Sequence, residues 1–205
     1  MSTLSTAPPP WIFVHIQKTG GNSVRAALGA DIFDPHKHFF AAELRDMHGP
    51  AAWDASFKFS FVRNPWDRLV SWWSMIDNGR KTTTQAPNGF FGYVLARAAS
   101  FEEFLTRCTD EIVDPDGRKQ IFRNQVDYLV DRDGKPIVDY IGRFERLQQD
   151  FDEVSRRLGR PPVALARSNA SRHAPYAEYY TPATADMVAR HYARDIAHFG
   201  YRFGD

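Results

Sequence analysis

Phe13-Val14-His15-Ile16-Gln17-Lys18-Thr19-Gly20-Gly21-Asn22-Ser23 is the stretch that decides the fold. An apolar run enters a polar turn and leaves it as Val24-Arg25-Ala26-Ala27-Leu28, which has a helical pattern. Pro8-Pro9-Pro10 cannot join a sheet ladder, so a strand is predicted from about Trp11 to near Gln17. The turn then supplies glycines that let backbone N–H groups face outward, two hydroxyls, an amide and one cation. With the positive end of a helix dipole behind it, such a turn makes an anion site. Lys18 precedes the glycines, the reverse of the G-x-x-x-x-G-K-[ST] order of kinases and ATPases. A Gly-Gly turn alone also serves packing; the full order strand, Lys, Thr, Gly, Gly, x, Ser, helix is what points to an anion.

About forty residues on, Phe59-Ser60-Phe61-Val62-Arg63-Asn64-Pro65-Trp66-Asp67-Arg68-Leu69-Val70-Ser71 repeats the logic with different chemistry. Phe57 to Val62 alternates and is rich in aromatics, as a buried strand is, and Pro65 suits the first turn of a helix running to about Ile76. Arg63 therefore falls at a strand end. Ser71 lies two helical turns beyond Pro65, so a guanidinium and a hydroxyl are placed to close on one phosphate. The competing reading pairs Arg63 with Asp67 and leaves Ser71 to packing. Arg68 reads as structural.

Together the two stretches resemble the PAPS-dependent sulfotransferases, in particular the branch of carbohydrate sulfotransferases such as heparan sulfate 2-O-sulfotransferase and its small bacterial homologues. The resemblance implies that Lys18, Thr19, Gly20, Gly21, Asn22 and Ser23 form the 5′-phosphosulfate loop and that Arg63 and Ser71 bind the 3′-phosphate of PAPS. Gln17 and Asn22 depart from the usual proline and threonine while leaving the backbone donors intact. Alternation of strand and helix then implies an α/β single domain with a P-loop-NTPase-like central parallel sheet, helices on both faces and ligands at the carboxyl ends of the strands. Residues 1–10 are expected to be a flexible N-terminus and 11–205 one sulfotransferase domain.

The 205 residues, 43% apolar and 14% aromatic, suffice for one good core. A net charge of +1 gives no general electrostatic case for nucleic acid. The single cysteine, Cys108, excludes an internal disulfide and reads as a half-buried helix residue rather than a nucleophile. No set of metal ligands is evident, and no signal or anchor pattern occurs in the first ten residues, so a cytoplasmic protein needing no metal is expected.

Sulfuryl transfer requires an acceptor hydroxyl stripped of its proton and a bridging phosphate oxygen that gains charge as it leaves. A histidine suits the first task and a lysine the second. Asp34-Pro35-His36-Lys37-His38-Phe39-Phe40 lies between the two motifs, ahead of a short helix at 41–46. Family resemblance puts His38 first as base, with His36 the runner-up and Glu43 third; Lys18 would stabilise the leaving oxygen. His15 reads as a hydrogen-bonded core residue.

Farther along, residues 77–89 read either as an acceptor-side lid or as a plain connection. Tyr93 to Arg107 reads as helical, with Ser100 as N-cap and Glu103 as its capping-box partner. Arg123, Asn124 and Gln125 suit either substrate contact or satisfaction of loop backbone. A strand over 137–141, a helix from Leu147 to Leu158 ended by Gly159, a short strand at 163–165 and an amphipathic helix from Pro182 to His198 complete the pattern. By resemblance, the loop at 167–176 covers the nucleotide and brings Ser171 and Arg172 to the 3′-phosphate. Trp72, Trp73, Phe90 and Phe91 suit either core or stacking on a sugar or phenol. The function so read is transfer from PAPS, yielding PAP, to a hydroxyl of a carbohydrate or small metabolite. The alternatives are a catalytically silent nucleotide-binding module and, more remotely, a kinase-like enzyme.

Overall fold

Three short strands, β1 (Trp11–Val14), β2 (Phe57–Val62) and β3 (Tyr140–Arg143), form one parallel sheet in the order β1-β2-β3. Trp11 pairs with Phe57, and Phe59 with Tyr140. The computed structural model describes residues 10–82, 89–108, 121, 123–166 and 174–205. They fall into two compact units, Met1–Val62 with Gln125–Ser168 and Arg63–Asn124 with Asn169–Asp205.

In the first unit, side-chain alternation puts Trp11, Phe13, Phe57, Phe59 and Phe61 on one face of the sheet. Phe13 stacks on Phe59 at 5.0 Å and meets Phe61 edge-on. Val24 and Leu28 of α1 (Gly21–Leu28) and Phe151 and Val154 of α7 (Leu147–Arg157) close over this face. On the other face Lys58 ion-pairs with Asp139 at 3.0 Å and lies 5.9 Å from the ring of Trp53 in α3 (Pro50–Ala55). Helix α2 (Ala41–His48) follows the inter-motif loop. Three parallel strands in one open sheet with helices around it is the expected fold class.

Several boundaries differ from the sequence pattern, each for a visible reason. The β1 ladder stops at Val14, because the next two carbonyls are taken by side chains: His15 O by His38 and Ile16 O by Thr19. β3 starts at Tyr140 rather than Ile137, whose N–H bonds to Leu129 O in a separate antiparallel bridge between Val130 and Pro136. Residues 163–165 form no strand; the side-chain amide of Gln148 holds Val163 O and Leu165 N.

The second unit is helical. α4 (Pro65–Thr82) runs well past Ile76, so residues 77–82 are helix and not loop, while 83–88 lie outside the described residues. The expected 93–107 helix is two, α5 (Gly89–Leu95) and α6 (Phe101–Arg107). Ser100 caps α6 by accepting from Glu103 N, but the Glu103 carboxylate reaches Ala99 N instead of completing the box. Tyr192 divides the last helix into α8 (Pro182–His191) and α9 (Ala193–Phe199); its hydroxyl donates to Ile121 O and accepts from Arg68. Trp72 and Trp73 are core side chains, Trp73 packing against Phe104. Cys108 is wholly buried, and burial pushes its thiol pKa up. No described helix is long and apolar enough to cross a membrane.

Candidate active site

The loop between β1 and α1 is built by three local devices. Lys18 takes φ 69°, the one non-glycine residue with positive φ among those described. An L-residue there costs roughly 1–2 kcal/mol, and such strain concentrates at functional sites. Thr19 is fully buried, and its hydroxyl donates to Ile16 O at 2.8 Å, stapling the turn shut. Any ligand contact from Thr19 therefore comes from its backbone N–H.

Gly20 is the third device. At φ 82° it caps α1, and its carbonyl accepts from Ser23 N and Val24 N. The first-turn amides of Gly21 and Asn22 have no acceptor within the helix by geometry, and no acidic residue sits in that turn. A positive dipole end, amides without an intrahelical acceptor and a lysine in the same turn are a combination that can cradle an anion. Asn22 is exposed and Ser23 half-buried at its rim.

Gly21 admits no side chain. A Cβ there would lie 2.0 Å from Cδ2 and 2.1 Å from Nε2 of His15. Gly21→Ala is expected to cost about 2 kcal/mol by overpacking, a fall of roughly 4–8 °C in Tm for a chain of this size. Asn22→Ala, on the exposed side of the same turn, should leave the thermal midpoint unchanged; equal Tm values for the two variants would contradict the packing seen at His15.

The inter-motif loop is tied to α1 by Arg25, which donates to Asp31 O at 2.7 Å and pairs with Asp34 at 2.8 Å. Burial opposes the Asp34 charge, but the His36 N–H and the Arg25 guanidinium outweigh it and hold the carboxyl below its usual range. Within this frame His38 is half-buried and its Nδ1 lies 3.0 Å from His15 O. A carbonyl only accepts, so Nδ1 carries the proton in this contact, and in the neutral ring the basic nitrogen is Nε2. That is the form a general base needs. His36 is exposed, 3.5 Å from the Asp34 carboxylate and edge-on to Phe39. Glu43 accepts from Phe40 N at 2.9 Å and caps α2.

In the second unit Arg63 is buried and its Nε donates to Asp67 at 2.7 Å, so the pairing that competed with phosphate binding is formed. Ser71 is buried on α4. Arg68, fully buried, donates to Arg123 O and Tyr192 Oη. Asn124 spends both ends of its amide on His191 O and Asp195 N, which is backbone satisfaction. Ser171 and Arg172 lie outside the described residues.

Sequence reasoning passed over three supports. Asn64 accepts from Trp66 N and donates to Arg202 O; an Asx residue directly before Pro65 was a legible capping signal. Arg25 and the Tyr128 hydroxyl, which donates to Gln17 Oε1 at 2.8 Å, gave no signal, because their partners are distant in the chain or lie in a loop.

A parallel α/β sheet with a lysine–glycine turn between its first strand and first helix is a frame suited to phosphate- or sulfate-bearing ligands. The chain belongs to the sulfotransferase family, whose model matches residues 11–202, from the first residue of β1 through both units. No curated protein matches it. It is thus a transferase of the sulfuryl-transfer class, acting on a hydroxyl-bearing acceptor.

Proposed function

We propose that this chain transfers a sulfuryl group from PAPS to a hydroxyl of a carbohydrate or small metabolite, as in the carbohydrate branch of the family, with 11–205 acting as one domain. The observation that carries the reading is the cradle itself: a cation and outward amides at the start of α1, with a histidine locked in its basic tautomer by His15 O. PAPS supplies the sulfuryl group and a good leaving group. The His38 Nε2 takes the proton from the acceptor hydroxyl as its oxygen bonds to sulfur. The bond from sulfur to the bridging phosphate oxygen breaks, that oxygen keeps the electron pair, and the Lys18 ammonium stabilises it. The products are a sulfate ester and PAP. Arg63 and Ser71, with Ser171 and Arg172, are assigned to the 3′-phosphate.

Titration calorimetry tests the donor. PAP is expected to bind without added metal, and Arg63→Ala to weaken it by about 10- to 100-fold, the worth of a hydrogen bond to a charged group. PAP binding without turnover of PAPS over a broad acceptor panel would mark a silent module. Mg²⁺-dependent ATP binding in place of PAP binding would mark a kinase-like enzyme.

A further inference from the structure

His15 is 4% exposed, and its Nδ1 is sealed from solvent with no hydrogen-bond partner. A buried donor or acceptor left unsatisfied costs about 1–3 kcal/mol, so an imidazole is a poor choice if the site needs only a packing ring. The ring is nonetheless firmly held: it stacks on Phe13 at 5.4 Å with 10° between planes and meets His38 at 4.6 Å. Burial first, then the charge His38 carries when protonated and those of Arg25 and Lys37, hold its pKa well below the usual imidazole range. One ring proton must then be shared between two nitrogens, and the sealed Nδ1 has nothing to give it to. The other nitrogen, Nε2, lies on the edge turned to Gly21, where a Cβ would come within 2.1 Å of it. Gly21 opens α1, so this edge faces the first residue of that helix.

We propose that His15 is a further ligand contact of the loop, with Nε2–H donating to an oxygen of the phosphate or sulfate group held at the N-terminus of α1. The inference rests on reading that loop as the 5′-phosphosulfate site. It gives the unsatisfied imidazole a purpose: a neutral donor beside the amides strengthens anion binding without adding a fixed charge next to His38, whose basicity the reaction needs.

The test uses the full chain, calorimetry and three probes: PAP, adenosine 3′-phosphate and inorganic pyrophosphate. His15→Phe keeps the stacked ring and removes the donor; His15→Gln restores an N–H. His15→Phe is expected to weaken PAP about tenfold and to leave adenosine 3′-phosphate, which lacks the 5′ group, unchanged, with Tm at or above that of the wild type. His15→Gln should recover part of the loss. Wild-type PAP affinity in His15→Phe, or an equal loss of PAP and adenosine 3′-phosphate, overturns the contact. If the wild type ignores PAP but binds pyrophosphate, and His15→Phe does not, the donor reading fails while the His15 contact stands. A wild type that binds none of the three overturns both.

Discussion

Replacing Lys18 by alanine is expected to lower kcat by about two to three orders of magnitude, the usual cost of removing a preorganised charge from an oxygen that gains electrons in the transition state. The substitution is informative because of the backbone beneath it. At φ 69° Lys18 sits where glycine is at ease and any L-side chain is strained. A residue retained there for structure alone would be glycine. Lys18→Gly therefore separates the two roles: its Tm should stay within about 2 °C of the wild type or rise, since the relieved strain offsets the added freedom of the unfolded chain, while turnover is lost as in Lys18→Ala. Turnover in Lys18→Gly near the wild-type rate would remove the lysine from the chemistry and leave the loop as backbone only. Lys18→Arg keeps the charge on a wider, planar group and is expected to recover only part of the rate.

The parts of this fold that the sequence made legible are those governed by local pattern. Alternating aromatics marked β2 to the residue, and the lysine–glycine order marked the loop, because a turn that offers backbone donors must be glycine-rich whatever surrounds it. What stayed illegible was set by partners distant in the chain. Tyr192 interrupts a continuous amphipathic pattern because its hydroxyl is claimed by Ile121 O. β1 ends early because His38, across the inter-motif loop, takes the first carbonyl beyond it. The composition of its strand points to a hydrogen-bonded core histidine at His15; it is core, but its Nδ1 is unsatisfied, a matter of three-dimensional packing that no strand pattern carries. Thr19 counts in the sequence as one of the turn's two hydroxyls, whereas its proton is spent inside the turn. The choice between His36 and His38 could not come from an H-x-H spacing, since both rings have the same intrinsic chemistry. The His15 carbonyl distinguishes them, by fixing the tautomer of one.

That distinction makes His38 the site of the second large effect. His38→Asn keeps a donor that can reach His15 O, so it should fold with a near-native Tm, yet it has no basic nitrogen, and kcat is expected to fall by about 10²- to 10⁴-fold. PAP affinity should hardly change, because the base acts on the acceptor rather than on the donor's phosphates. His36→Ala, which removes an exposed ring from the Asp34 carboxylate, is expected to keep most of the turnover. The acid side of the rate profile needs a stability control, for a reason that lies in His15. Its pKa is held well below 6.5 by burial in the folded state, so as pH falls through the ordinary imidazole range the unfolded chain binds a proton there that the folded chain does not. Stability therefore falls with pH on that side, and a loss of rate in acid is assigned to protonation of His38 only where the Tm of the same sample shows the chain still folded. With that control in hand, full activity in His38→Asn together with inactive His36→Ala would transfer the base to His36 and make the His15 carbonyl bond a structural one.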